Sequence, residues 1–253
     1  MRTYGAIIIG DEIMRGKRQD RHLAKLIEIL AARGLHLSWA QYLGDERPRL
    51  IETFKRTLAS GDVVFSCGGI GVTPDDHTRQ AAAFAAGVPL KLNPEAEREI
   101  RARMAEMGQE VTAARLELGT VPRGSRIIPN PFNRIPGFSY GDHHFLPGFP
   151  QMAWPMAEWV LDAYYADDFR QSAETEAAIL VWDGLEGVML DLMRRTEADF
   201  PGITVFSLPS FGSETVRRHV ELGVRGAPDA VALAIETLKA GVEELGYAYD
   251  PKL

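Results

Sequence analysis

The stretch Gly68-Gly69-Ile70-Gly71-Val72-Thr73-Pro74-Asp75-Asp76-His77-Thr78 decides how this chain reads. It follows Asp62-Val63-Val64-Phe65-Ser66-Cys67, a short apolar run rich in β-formers, as expected of a central parallel strand. The glycines let backbone come close to a ligand. Thr73 as N-cap, Pro74 at the first helical position and Asp76 as the capping-box acid predict a helix over 74–86. Free N–H groups and the positive end of the helix dipole attract an anion. Asp75 and Asp76 would repel a phosphate unless Mg2+ or another divalent cation stood between them. The stretch therefore reads as a phosphate site with metal chemistry nearby, although the dipole alone also favours acids in a first helical turn.

Upstream, residues 4–10 form an apolar strand ending in Gly10-Asp11-Glu12. Leu23, Leu26, Ile27 and Leu30 then draw one apolar stripe along a helix that Gly34 ends. A strand over 35–43 leads to Gly44-Asp45 and to a helix with Ile51, Phe54 and Leu58 inward, closed by Gly61. Strands alternating with amphipathic helices predict an α/β fold, a mostly parallel sheet covered by helices on both faces. Ligands of such sheets bind at the carboxyl ends of strands. The turns at Gly10-Asp11-Glu12, Gly44-Asp45 and 68–76 should thus converge on one crevice.

Downstream, 94–118 reads as a charged, solvated helix. Residues 121–150, with prolines among short β-like runs at 125–128 and 143–146, read as a loop-and-hairpin region lining a site. An aromatic-rich helix over 152–165 closes a first domain, 1–167, with Trp154 and Trp159 read as core. A composition shift at 167–176 marks a linker. The order strand, helix, strand, strand, helix within 176–253 then predicts a small α+β domain.

At 253 residues, 45% hydrophobic and 25% charged, the composition is that of a soluble globule. No apolar run is long enough to span a bilayer, and nothing resembles a signal peptide, so no membrane partner and a cytoplasmic location are expected. A single cysteine, Cys67, excludes an internal disulfide and reads as packing. A net charge of −7 gives no footprint for nucleic acid. His143-His144 cannot easily grip one ion, because adjacent strand residues point to opposite faces. His77 could contact phosphate or act as a general acid, or be a solvated helix residue. Arg79 reads as a surface ion pair rather than a phosphate contact.

Four separated motifs in this order resemble the molybdopterin-binding (MoaB/Mog) domain family of molybdenum-cofactor biosynthesis, nearest to the N-terminal region of CinA proteins. They are Gly10-Asp11-Glu12 with Gly16 and Asp20, Gly44-Asp45, the 68–78 stretch, and Leu146-Pro147-Gly148-Phe149-Pro150. Pro129-Asn130-Pro131 with Pro136-Gly137-Phe138 resembles the same family's pre-hairpin loop. The chain departs from the CinA pattern at Arg21-His22, where Thr-Asn is usual, at Val72 in place of proline, and at Gln151-Met152, where an acid is common. No segment matches the amidohydrolase domain that follows in full-length CinA proteins.

The resemblance implies a homo-oligomer, dimer or trimer, that binds molybdopterin with Mg2+ or cleaves ADP-ribose or FAD with a divalent metal. It implies ligand contacts from Gly10, Gly68, Gly69, Gly71, Thr73, His77, Thr78, Pro147 and Gly148. Asp11, Glu12, Asp75 and Asp76 would serve the metal, and Asp45 and Asp76 the chemistry. Three readings stand: a module that holds a pterin or nucleotide without turnover, a metal-dependent pyrophosphohydrolase, and an oligomerising protein with no ligand.

Overall fold

Strand β1 (Tyr4–Ile9) is buried along its whole length because it pairs in parallel on both sides, with β2 (Leu37–Leu43) and with β3 (Val63–Cys67). This computed structural model describes residues 2–170, 174–213 and 215–252. The chain divides into two compact units, Met1–Arg170 and Gln171–Leu253. Residues 171–173 of the expected linker lie outside the described residues.

In the first unit the helices are α1 (Asp11–Met14), α2 (His22–Ala31), α3 (Arg47–Ser60), α4 (Thr78–Ala85), α5 (Pro94–Glu106), α6 (Ala113–Glu117) and α7 (Pro150–Tyr164). A small ribbon pairs β4 (Leu90–Leu92) with β5 (Thr120–Pro122). With β6 (Arg126–Ile128), β7 (Gly137–Tyr140) and β8 (His143–Leu146), the main sheet runs β2-β1-β3-β8-β7-β6. The four strands from β2 to β8 are parallel, and the β6-β7-β8 meander is antiparallel. The segment 62–67 thus lies inside the sheet.

Successive strand residues face opposite sides. Tyr4, Ala6 and Ile8 pack with Leu26 and Leu30 of α2 and with Met156 and Val160 of α7. Ile7 and Ile9 pack with Leu50 and Phe54 of α3 and with Ala81 of α4. Helices therefore cover both faces, as the alternation predicts. His143 and His144 obey the same rule. His143 Nε2 lies 2.7 Å from Ser66 Oγ, whereas His144 contacts Ser139 Oγ at 2.8 Å and Tyr165 at 2.7 Å, and both rings are buried.

Several local expectations need correction. The helix predicted from Pro74 starts at Thr78. The Thr73 N–H donates to Asp76 Oδ2 at 2.8 Å and the Asp76 N–H donates to the Thr73 carbonyl at 2.9 Å, so the capping pair closes an isolated turn instead. Thr78 is then pulled back to the strand end, with its N–H on the Gly69 carbonyl and its Oγ1 on the Gly68 carbonyl, both 3.0 Å. Asp20 accepts from the His22 and Leu23 amides, and the buried stripe of α2 is His22, Leu26, Ile29 and Leu30, leaving Ile27 48% exposed. In α3 the inward residues are Leu50, Thr53, Phe54 and Thr57. The region 94–118 is broken into α5 and α6.

The second unit contains β9 (Thr175–Trp182), α8 (Glu186–Asp199), β10 (Thr204–Ser210), β11 (His219–Gly226), α9 (Pro228–Glu244) and β12 (Tyr249–Pro251). Its sheet, β10-β11-β9-β12, is wholly antiparallel. Val181, Leu222 and Val224 bury one sheet face against Met189 of α8 and Leu238 and Val242 of α9.

Candidate functional site

Because β1, β2, β3 and β8 are parallel, their carboxyl ends open on one edge. The chain goes from β1 to β2 on one side and then to β3 on the other, which makes β1/β3 the point where such a sheet leaves a crevice. A cavity of about 410 Å3 lies there. Gly10 and Glu12 reach it from the end of β1, and Asp45 from the end of β2. The loop after β3 supplies Gly68, Gly69, Gly71, Thr73, Asp75 and Asp76, and the turn after β8 supplies Pro147 and Gly148. Leu118, Ile135, Pro136, Phe149 and Met152 form an apolar wall.

Backbone packing at the strand ends explains two of the glycines. Gly68 has φ +115°, and a Cβ there would collide with the Ile9 carbonyl oxygen. A Cβ on Gly71 would meet the Asp76 carboxylate. Among the described residues, the N–H groups of Gly69, Ile70, Gly71 and Val72 have no acceptor. Four free amides in one loop form a cradle for an anion.

Behind that loop stands Arg79, which makes the ion pair the sequence suggested, with Glu117 Oε1 at 3.6 Å, but is 1% exposed and so not on the surface. Its guanidinium donates to the carbonyls of Gly71 at 2.7 Å, Thr120 at 3.0 Å and Glu117 at 2.5 Å. The clamp ties the Gly71 carbonyl of the loop to the segment at 117–120 through one guanidinium. Arg18, Asn130 and Asn133 also line the cavity and were not singled out from the sequence as site residues. The only signal for the asparagines was the Pro129-Asn130-Pro131 segment. There the Asn130 side-chain amide donates to Asn133 Oδ1 at 2.8 Å and to the Ile135 carbonyl at 2.9 Å, shaping the loop.

The acids divide by partner. Asp11 does not line the cavity, and its Oδ2 pairs with Arg15 at 2.7 Å. Asp76 Oδ2 accepts from both the Thr73 N–H and the Thr73 hydroxyl. Asp45 keeps a proton more tightly than an ordinary aspartate, first because it is partly buried and then because Asp11, Glu12 and Asp75 repel its charge, against the opposing hydrogen bond from the Asp11 amide. His77 is the N-cap residue of α4, and neither it nor buried Thr78 lines the cavity. Among the described residues no group of three or more His, Cys, Asp or Glu stands ready to hold a metal.

Residues 5–166 match the family model described as "Probable molybdopterin binding domain". The chain belongs to this molybdopterin-binding family. A CinA-like protein of Syntrophotalea carbinolica is 31% identical over 178 residues, 68% of this chain and 43% of that protein. A protein of Caldivirga maquilingensis is 32% identical over 154 residues, 59% of this chain and 60% of its own length. The match therefore spans less than two thirds of either relative. The crystal structure of CinA from Thermoplasma acidophilum, described there as of unknown function, superposes with a TM-score of 0.57 at 25% identity, covering 64% of this chain and 98% of that one. Molybdopterin-binding family membership and likeness to the CinA N-terminal region thus agree with the motifs, and the matched segment ends where α7 closes the first unit. No helix among the described residues is long and apolar enough to cross a membrane.

Proposed function

We propose that the crevice binds a phosphate-bearing pterin, molybdopterin among them, or a nucleotide, with a divalent metal taken up beside the phosphate. The observation that carries this reading is the meeting, in one cavity, of four acceptor-free amides, acidic side chains and an apolar wall. The amides suit the phosphate, and the wall of Leu118, Ile135 and Phe149 suits a flat heterocycle. Mg2+ keeps several of its waters and takes one or two carboxylates together with substrate phosphates, so an acid set that forms no cage alone still fits it. Glu12 and Asp75, which line the cavity, would hold it. Bound there, the metal would neutralise phosphate charge. Asp11 supports this arrangement through the Asp45 amide rather than by direct contact.

Asp45 favours a second reading, cleavage of ADP-ribose or another dinucleotide at its pyrophosphate. A carboxylate with raised proton affinity at the cavity wall is placed to accept a proton from water. The water oxygen would attack one phosphorus, the bridging P–O bond would break, and two phosphate monoesters would leave. Incubation with ADP-ribose, FAD and molybdopterin, each with Mg2+ or Mn2+, followed by calorimetry and product analysis, tests both. Saturable metal-dependent binding without products selects the binding module, products select the hydrolase, and no binding of any of them refutes the proposal. Assembly into dimers or trimers belongs to the same proposal and is read by sedimentation.

A further inference from the structure

In the second unit's sheet, β10-β11-β9-β12, the edge strand β12 has 3 residues, whereas the opposite edge, β10, has 7. A long unpaired edge invites a further strand, and charged side chains are the usual means of forbidding it. Residues 203–213 carry no charge at all. Leu208 and Phe211, toward the far end of this run, are 56% and 89% exposed.

The register decides which main-chain groups of β10 face outward, because successive residues of an antiparallel strand turn their N–H and C=O groups to opposite sides. The Trp182 N–H donates to the Ala248 carbonyl, on the β12 side of β9, so Val181 and Ile179 turn toward Val220 and Leu222 of β11. Glu221 and Gly223 of β11 then turn the other way, toward Leu208 and Phe206. Val205, Ser207 and Pro209 are left pointing out of the sheet. The Val205 N–H is already taken, donating to Glu197 Oε1 of α8 at 2.9 Å. Pro209 has no N–H to give. Ser207 alone keeps a free outward N–H among the described residues, while its hydroxyl donates to Glu186 at the start of α8.

We infer that the β10 edge is a pairing site for the same edge of a second copy of this chain, held shut by Glu197 and Pro209. A second copy fits because the strand is its own complement. An antiparallel pair centred on Ser207 sets Phe206 against the partner's Leu208, and the reverse, on the sheet face opposite the one where Val205 packs into the core. Thr204 then faces the partner's Ser210, and no charge within the strands meets its like. Each copy offers the other the same surface, so the contact closes after two. With Glu197 on Val205 and proline at 209, such a pair keeps only the Ser207 bonds. While that closure holds, copies of this chain assemble through other surfaces, whatever the crevice binds.

The test compares the full chain with Glu197→Ala/Pro209→Val, which frees one outward donor and restores another, and with that variant carrying Ser207→Pro as well. Glu197 and Pro209 are both exposed, so the opened variant should fold, and thermal melts check that it does. By sedimentation equilibrium the opened variant should pair copies beyond the wild-type state, at least about tenfold more tightly than wild type. Adding Ser207→Pro, or Leu208→Lys where the proline prevents folding, should return it to the wild-type state. Amide hydrogen exchange read by NMR should slow at Ser207 when the opened variant associates. It should also be slower at Val205 in wild type than in Glu197→Ala. An opened variant that sediments as wild type would overturn the pairing site, and so would association that survives both Ser207→Pro and Leu208→Lys. Equal Val205 exchange with and without Glu197 would overturn its part in the closure.

Discussion

The Asp11 N–H donates to Asp45 Oδ2 at 2.8 Å, and the Asp45 N–H donates to Asp11 Oδ1 at 3.2 Å. Each aspartate thus caps the other's turn, and the pair ties the end of β1 to the end of β2. Asp45→Asn keeps an acceptor for the Asp11 amide but removes the charge and the proton-accepting role. It should lower metal-dependent binding or turnover about tenfold or more, equivalent to about 1.4 kcal/mol, with little change in melting temperature. Asp45→Ala leaves the Asp11 amide without its partner and should cost about 1 kcal/mol of stability besides. Calorimetric titration with ADP-ribose and Mg2+ beside thermal melts checks both. Unchanged binding by Asp45→Asn would remove Asp45 from the site.

Asp76 stabilises the turn at 73–76 and not the helix, because α4 begins only at Thr78. Asp76→Asn should therefore leave thermal stability almost unchanged, since its amide oxygen still accepts from the Thr73 N–H. Ligand affinity in the presence of Mg2+ should fall about tenfold, because Asp76 lines the cavity and its charge is lost. An Asp76→Asn protein that melts several degrees lower but titrates normally would reduce Asp76 to a structural role.

The layers of the first unit and the meeting of its strand ends were legible in the sequence because they follow from periodicity and from the parallel rule. Gly10, Gly44-Asp45 and Gly68 each directly follow an apolar run, so their common edge needed no knowledge of packing. The start of α4 was not legible. Thr73, Pro74 and Asp76 form a locally consistent capping signal, and what overrides it is the pull of Thr78 on the Gly68 and Gly69 carbonyls. Arg79 was misread for a related reason. Its burial depends on the carbonyls of Glu117 and Thr120, about forty positions away in the chain, and no local pattern marks that.

Arg79 gives a test of the anion cradle. Arg79→Met fits the volume but strips the part-buried Gly71, Glu117 and Thr120 carbonyls of their donor, and should cost roughly 2 kcal/mol. Arg79→Lys should recover little, because a point charge cannot replace a fork that serves several carbonyls. Urea unfolding measures the loss. A lysine variant as stable as wild type would mean that charge alone, and not the fork, holds the loop.

Two of the three buried histidines among the described residues, His143 and His144, have the most strongly lowered proton affinity and make the first unit acid-sensitive. Tyr165 donates to Asp142 at 2.8 Å, so its oxygen accepts from His144 Nε2, and Ser139 faces Nδ1. Burial first, and then the charge of Arg126, lower the pKa of His144 from its ordinary 6.5 to about 3, and burial pushes that of His143 well below 6.5. In this window the unfolded chain binds protons that the folded chain does not, so unfolding gains from acid. Stability should be fully present above about pH 6.5 and fall as pH drops toward 3, by about 1.4 kcal/mol per pH unit for each histidine that stays neutral when folded. Carboxylates add their own slope at the acid end, so a variant is needed to isolate the ring. His144→Gln keeps hydrogen-bonding capacity toward Ser139 or Tyr165 and cannot titrate. It should unfold less steeply with acid than wild type between pH 6.5 and 5, where carboxylates are still largely ionised. Urea midpoints across that range decide the matter, and parallel slopes for the two proteins would show that His144 is not what acid acts upon.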